Sequence, residues 1–211
     1  GNPRGDSGTF GGGFYHAGEE LLVYNCIISD NYSWACGGAT LTERGSVTMQ
    51  NCTIMGNEST NFFGFQGGVA VANNGIQKIV NTIVRDNDGN QIDAFGAPYN
   101  KGCVSTAIYS NVSQSISGQG NINGVPVFTQ EAGGWQLSSQ SPGFNQGDPG
   151  VEDGDGSRSD IGFNFSNWKA PLSNAYESEL QPPSSARNAT SIAQSVNGFI
   201  VGAEVTNGGS G

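Results

Sequence analysis

Apolar positions between residues 11 and 88 fall in short runs, and one pattern is written three times. GGGFYHAGEELLVYNCIISDN is followed by GGATLTERGSVTMQNCTIMGN and then by GGVAVANNGIQKIVNTIVRDN. Each copy opens on paired glycines (Gly12-Gly13, Gly37-Gly38, Gly67-Gly68), alternates briefly, turns at Gly or polar residues and enters a second apolar run. That run contains Asn25, Asn51 or Asn81, and the copy closes at Asn31, Asn57 or Asn87. The first set of asparagines is spaced by 26 and then 30 residues, and a further step of 30 reaches Asn111. Self-similarity at this period marks a solenoid.

The runs are about five residues long, rich in Val, Ile and Thr and bounded by Gly and Asn, which is strand chemistry. No window repeats apolar residues at i, i+3, i+4 and i+7 for the length of a helix. The expected fold is all-β, a parallel β-helix of about 4–5 coils stacked about 4.8 Å apart. Asn tolerates left-handed backbone angles, so Asn25, Asn51, Asn81 and Asn111 are expected to form a structural ladder at one corner. Core columns are expected at Val23/Met49/Ile79 and Ile28/Ile54/Val84, with Phe14/Ala39/Val69 and His16/Leu41/Val71 in the first run. His16, the only histidine, is expected to be structural.

Outside the repeat the pattern changes. Residues 1–10 are a lead-in, with Arg4-Gly5-Asp6 read as a plain turn. The β-helix with its closing loop region takes residues 11–165, with Trp135 and Leu137 as an apolar plug for its end. Residues 166–190 are Pro/Ser-rich and read as a linker or strap, and residues 191–211 hold one strand, Phe199–Val205. One strand does not fold alone. It is expected to lie on the β-helix, to begin another domain, or to add to a neighbouring molecule's sheet.

Composition narrows the function classes. Charged residues are only 12%, with Gly at 34 of 211 and a net charge of −10. A neutral-polar surface suits an extracellular or cell-surface location, and the acidic balance argues against nucleic acid or anionic membrane as partner. No apolar run reaches the length of a membrane span. No signal peptide is visible and the chain starts at Gly1, so a processed or partial chain is expected.

Four groups of residues carry candidate chemistry. Cys26 and Cys52 share a column of neighbouring coils, as stacked thiols or as a bridge, and Cys36 and Cys103 offer a second pairing. Asp148, Glu152, Asp153, Asp155 and Asp160 form an acidic cluster. Asp148, Asp153, Asp155 and Asp160 are the candidate calcium ligands, calcium being the only candidate cofactor. The metal-free alternative has Arg158 paired with an Asp. Asp30 and Asp86 share a column two coils apart, about 9–10 Å, with Gly56 as a notch between them. With Arg85 they are the one catalytic alternative. Asn-x-Ser/Thr triplets make Asn31, Asn57, Asn164 and Asn188 candidate glycosylation sites.

The repeat GGG-Φ-Y…L-x-Φ-x-NC-x-I-x-x-N (Φ, apolar) resembles the right-handed parallel β-helix repeats of bacterial surface proteins, including polymorphic outer-membrane protein repeats and pectate-lyase-like domains. Ser141-Pro142 through Gly147-Asp148, followed by Asp153 to Gly162, resembles the phrase that closes such solenoids in surface-anchored proteins. The resemblance covers residues 11 to about 165 and implies a right-handed solenoid. The scaffold serves lyases, hydrolases, adhesins and filament proteins alike. The expected function is a non-catalytic extracellular structural or adhesive protein, self-associating or continued by further chain at the open solenoid end. The alternative is a carbohydrate-active β-helix, a polysaccharide lyase or glycoside hydrolase, or a carbohydrate-binding fragment of one.

Overall fold

The computed structural model describes residues 10–60, 68–94, 102–129, 135–164, 190–196 and 199–207. Two units are distinguished, residues 1–169 and 170–211.

In the first unit the short apolar runs form strands because Val, Ile and Thr suit a pleated, half-buried surface and Gly or Asn ends each run. The strands are β1 (Phe14–His16), β2 (Glu20–Tyr24), β3 (Ile27–Ser29), β4 (Tyr32–Ser33), β5 (Thr40–Glu43), β6 (Ser46–Gln50) and β7 (Thr53–Met55). There follow β8 (Glu58–Ser59), β9 (Val69–Ala72), β10 (Ile76–Val80), β11 (Ile83–Arg85), β12 (Ile92–Ala94), β13 (Val104–Ile108) and β14 (Asn111–Val112). They assemble into three four-stranded sheets, β1-β5-β9-β12, β2-β6-β10-β13 and β3-β7-β11-β14, plus the pair β4-β8. All of these pairings are parallel. The chain visits the three sheets in turn and then repeats, so each pass makes one rung. The architecture is all-β with parallel sheets, compatible with a parallel β-solenoid.

Register fixes the core. Val23, Met49, Ile79 and Ala107 stand in one column, and Ile28, Ile54, Val84 and Val112 in another. Both columns belong to the main apolar cluster. Each such buried side chain contributes roughly 1.5–3 kcal/mol. The first-run columns differ from expectation by one residue: Phe14 pairs with Thr40 and His16 with Thr42. The equivalent glycine pair is Gly11-Gly12 with Gly37-Gly38, since Gly11 and Gly37 hold the same left-handed turn (φ +63 and +62). The outward side of this sheet is also covered, with Leu41, Ala70 and Ala72 packed against Ala35, Cys36 and Trp34.

Asn111 is a second correction. Val80 pairs with Ile108, 28 residues on, so the corner asparagines are continued by Tyr109 (φ 46). Asn111 pairs instead with Ile83, inside a strand. Leu137 is a third. It packs with Ile83 and Ile161, with Met55 beside them, on the outward face of the third sheet, so the apolar plug lies on the flank of the stack.

In the second unit, β15 (Thr190–Val196) and β16 (Phe199–Asn207) pair antiparallel. The C-terminal strand therefore has a partner within the chain, and that partner begins inside the stretch read as linker. Arg4-Gly5-Asp6 and Asn188 lie outside the described residues.

Candidate functional site

The third sheet and the corner before it carry most of the polar chemistry, because residues 141–164 lie along them. Asn25, Asn51 and Asn81 turn the corner with φ of 51, 52 and 48. Their amides do not stack on one another. They reach out to the closing segment, which crosses three rungs as a strap. Asn25 Nδ2 donates to Asn164 O and Asn25 Oδ1 accepts from Asn164 N, both at 3.0 Å. Asn51 Nδ2 donates to Ser159 Oγ (2.7 Å) and Asp160 O (3.2 Å). Asn81 Oδ1 accepts from Asp148 N at 2.6 Å, and the Asn81 carbonyl accepts from Gly162 N at 2.7 Å. The Phe163 N–H reaches Thr53 Oγ1 at 3.0 Å. Ile161 anchors the strap in the apolar cluster under it.

Within the strap the acidic residues divide. Asp148 and Asp155 make local turns, to Gly150 N (2.9 Å) and to Ser157 N and Oγ (2.9 and 2.6 Å). The Ser157 contacts hold the Asp155 carboxyl below its ordinary range. Asp153 and Asp160 are buried together, and the Asn164 amide donates to both, at 2.8 and 3.0 Å. Asp160 is pushed up to about 6, by burial first and by the neighbouring Asp153 and Asp155 charges after it.

The four proposed calcium ligands do not fit that ion. Among the described residues no three His, Cys, Asp or Glu side chains are grouped to hold a metal. The one close carboxylate pair has the N–H donors of Asn164 between its oxygens, where a cation would have to sit. Among the described residues Arg158 pairs with no Asp either. Arg158 donates instead to the carbonyls of Gly147 (2.8 and 2.5 Å) and Gln146 (3.3 Å), closing the loop on its own backbone.

The residues of the catalytic alternative are not brought together on one face. Asp30, Gly56 and Asp86 occupy one exposed column, each in the left-handed region (φ 56, 68 and 52). Arg85 faces elsewhere. It is buried, and its guanidinium donates to Asn111 Oδ1 (3.1 Å) and Asn123 Oδ1 (2.8 Å). Its role here is to tie the third rung to the segment beyond the fourth.

The inner amide ladder runs along a different set of residues. Asn31 Nδ2 donates to Asn57 Oδ1 (3.0 Å), Asn57 Nδ2 to Asn87 Oδ1 (2.8 Å) and Asn87 Nδ2 to Gln91 Oε1 (3.0 Å). Asn57 is 0% exposed. Its amide nitrogen is committed to this ladder and to the Ile28 carbonyl at 2.9 Å, so it cannot carry a glycan in this fold. The same holds for Asn164, whose amide lies between the two buried aspartates. Asn31 is half-buried and donates to Ser29 O at 3.0 Å. The recurrence of Asn at the end of all three copies was the signal for this ladder.

The cysteines occupy three environments. Cys26 and Cys52 are neighbours in one column, and both are free. Cys52 is buried and burial pushes its thiol well up, whereas Cys26 is exposed and its contact with Cys52 lowers it to about 7. Cys103 is a free thiol, and Cys36 is buried in the cluster around Trp34, so these two are not bridged.

Among the described residues there is no helix long and apolar enough to cross a membrane. No family model matches the chain, and no curated protein and no solved structure is significantly similar to it.

Proposed function

We propose that this chain is a non-catalytic extracellular structural or adhesive protein, a right-handed parallel β-helix that associates through the first-rung end of its stack. The observation that carries the reading is the difference between the two ends. Among the described residues, β1, β2 and β3 each have a strand neighbour on one side only. Their inward side chains Phe14, Leu21 and Val23 are half-buried, where Val47, Met49 and Val69 one or two rungs further on are at most 1% exposed. The other end is covered. Ile122 exchanges backbone hydrogen bonds with Ser110 and Val112 (2.9 and 3.0 Å), and Gln114 Oε1 accepts the N–H groups of Gln91 and Ile92 (3.0 and 3.2 Å).

Unpaired strand edges over an incompletely covered core are where another rung docks. That rung belongs to a second copy or to further chain, and a head-to-tail contact that does not close builds a fibre. Light scattering with negative-stain imaging tests this. Concentration-dependent oligomers that are lost in Leu21→Lys support it, and a monomer at every concentration overturns it.

A second reading, a carbohydrate-active β-helix, is favoured by one observation. The exposed carboxylates of Asp30 and Asp86 flank Gly56 on a single column. Incubation with a polysaccharide panel, with and without calcium, tests it. Cleavage that is lost in Asp30→Asn and Asp86→Asn would displace the structural reading.

A further inference from the structure

We propose that Cys26 and Cys52 are a redox pair that closes to a disulfide between the first and second rungs, with Cys26 as the attacking thiol. The geometry begins with register. Ile27 pairs with Thr53 and the Thr53 N–H donates to Cys26 O at 2.9 Å, so the two cysteines sit side by side on parallel neighbours. Adjacent strands lie about 4.8 Å apart. That falls inside the roughly 4.4–6.8 Å window of Cα separations that a disulfide spans.

The column itself shows that packing does not require sulfur there. Its third and fourth members are Thr82 and Ser110, and both make the contact that the cysteines make. Thr82 Oγ1 donates to Val80 O at 2.8 Å and Ser110 Oγ to Ile108 O at 2.8 Å. The thiols of Cys26 and Cys52 donate in the same way to Tyr24 O (3.2 Å) and Gln50 O (3.3 Å). A hydroxyl therefore satisfies the corner, and the two rungs that carry thiols instead are next to each other in the stack. Their accessibilities differ as a reactive pair requires. Cys26 is exposed at the first rung, whereas Cys52 is 0% exposed. The contact with Cys52 also favours the Cys26 thiolate near neutral pH.

The oxidant is a small-molecule disulfide. The Cys26 thiolate attacks one of its sulfurs and expels a small thiolate, leaving a mixed disulfide. Cys52 loses its proton to the departing thiolate and attacks Cys26 Sγ, expelling the second small thiol. Two electrons leave the protein, one protein S–S bond forms, and one small disulfide becomes two thiols.

The test is incubation of the full chain with oxidised glutathione, followed by intact mass and peptide mapping. The expected product has lost two hydrogens, carries no adduct and yields a Cys26–Cys52 linked peptide. Cys52→Thr, which copies the third rung and keeps the corner contact, should stop at a stable glutathione adduct on Cys26. Cys26→Ser should leave Cys52 unmodified. A stable adduct on Cys26 in the unsubstituted chain, or a link that uses Cys36 or Cys103, would overturn the proposal.

Discussion

Asn164 and Asn25 are joined by a reciprocal pair of hydrogen bonds, backbone to side chain in each direction, across 139 positions of sequence. The Asn25 amide presents one donor and one acceptor to the Asn164 backbone, as a peptide group in a neighbouring strand does. Asn25 thus performs two tasks at once. Its backbone turns the corner in the left-handed region, and its side chain extends hydrogen bonding sideways to the strap.

Two substitutions separate these tasks. Asn25→Gly keeps the backbone angle and removes both side-chain bonds, for an expected loss of about 2 kcal/mol. Asn25→Ala also forces a Cβ into the left-handed region and should lose a further 1 kcal/mol or so. Urea unfolding of both variants measures the difference. Equal losses would mean that the backbone angle contributes nothing.

Asn57 is the centre of the inner ladder. It accepts from Asn31 N and Nδ2 (3.1 and 3.0 Å) and donates to Ile28 O and Asn87 Oδ1 (2.9 and 2.8 Å). Asn57→Ala removes all four of these bonds from a fully buried position and should cost about 3 kcal/mol or more. Asn31→Ala, at the half-buried end of the ladder, should cost less. In a host that glycosylates Asn-x-Ser/Thr sites, the Asn57 and Asn164 peptides should be recovered without glycan; a glycopeptide at either position would contradict the packing described here.

The repeat made the rung legible because parallel stacking forces like residues into columns. Val23, Met49 and Ile79 could be aligned from pattern alone, and the register agrees. Errors arose where the period changed. The step from Val80 to Ile108 is 28 residues, so a fixed step of 30 overshot Tyr109 and landed on Asn111. The strap was not legible, since its bonds to Asn25, Asn51 and Asn81 span 67 to 139 positions and no local pattern encodes them. The hairpin of β15 and β16 had a local signal in Asn197-Gly198, a strong turn dipeptide between two strand-forming runs.

Strap docking is expected to depend on pH through Asp160. Asp160 is raised to about 6 by burial and by its acidic neighbours, above the ordinary value of 3.8. A carboxyl raised on folding binds its proton more tightly in the folded state. Its contribution is fully present below the ordinary value and is lost as pH rises toward and through 6. The expected difference between pH 4 and pH 7.5 is on the order of 1–2 kcal/mol after allowance for screening. Other carboxyls titrate over the same range, so the informative quantity is the difference between the parent and Asp160→Asn. The substituted chain should lose less stability on going from pH 4 to pH 7.5. Parallel profiles would remove Asp160 as the source.

Gly162 sits where the strap backbone crosses the third sheet. Its φ is +121, and a Cβ there would lie 2.7 Å from Ile83 Cδ1 and 3.2 Å from Thr53 Oγ1. The same residue donates its N–H to the Asn81 carbonyl at 2.7 Å, so it cannot retreat without breaking that bond. Gly162→Ala therefore combines a backbone penalty with overpacking, and a loss of about 2–4 kcal/mol is expected. The loss should be local in its first effect. Limited proteolysis should open residues 141–164 at denaturant concentrations where β6 and β10 still resist cleavage. Gly156→Ala is the control, since its φ of +84 is also left-handed but nothing lies within 4 Å of an added Cβ. It should lose about 1–2 kcal/mol from backbone strain alone. If both variants lose the same amount, contact with Ile83 and Thr53 is not what holds the strap down at Gly162.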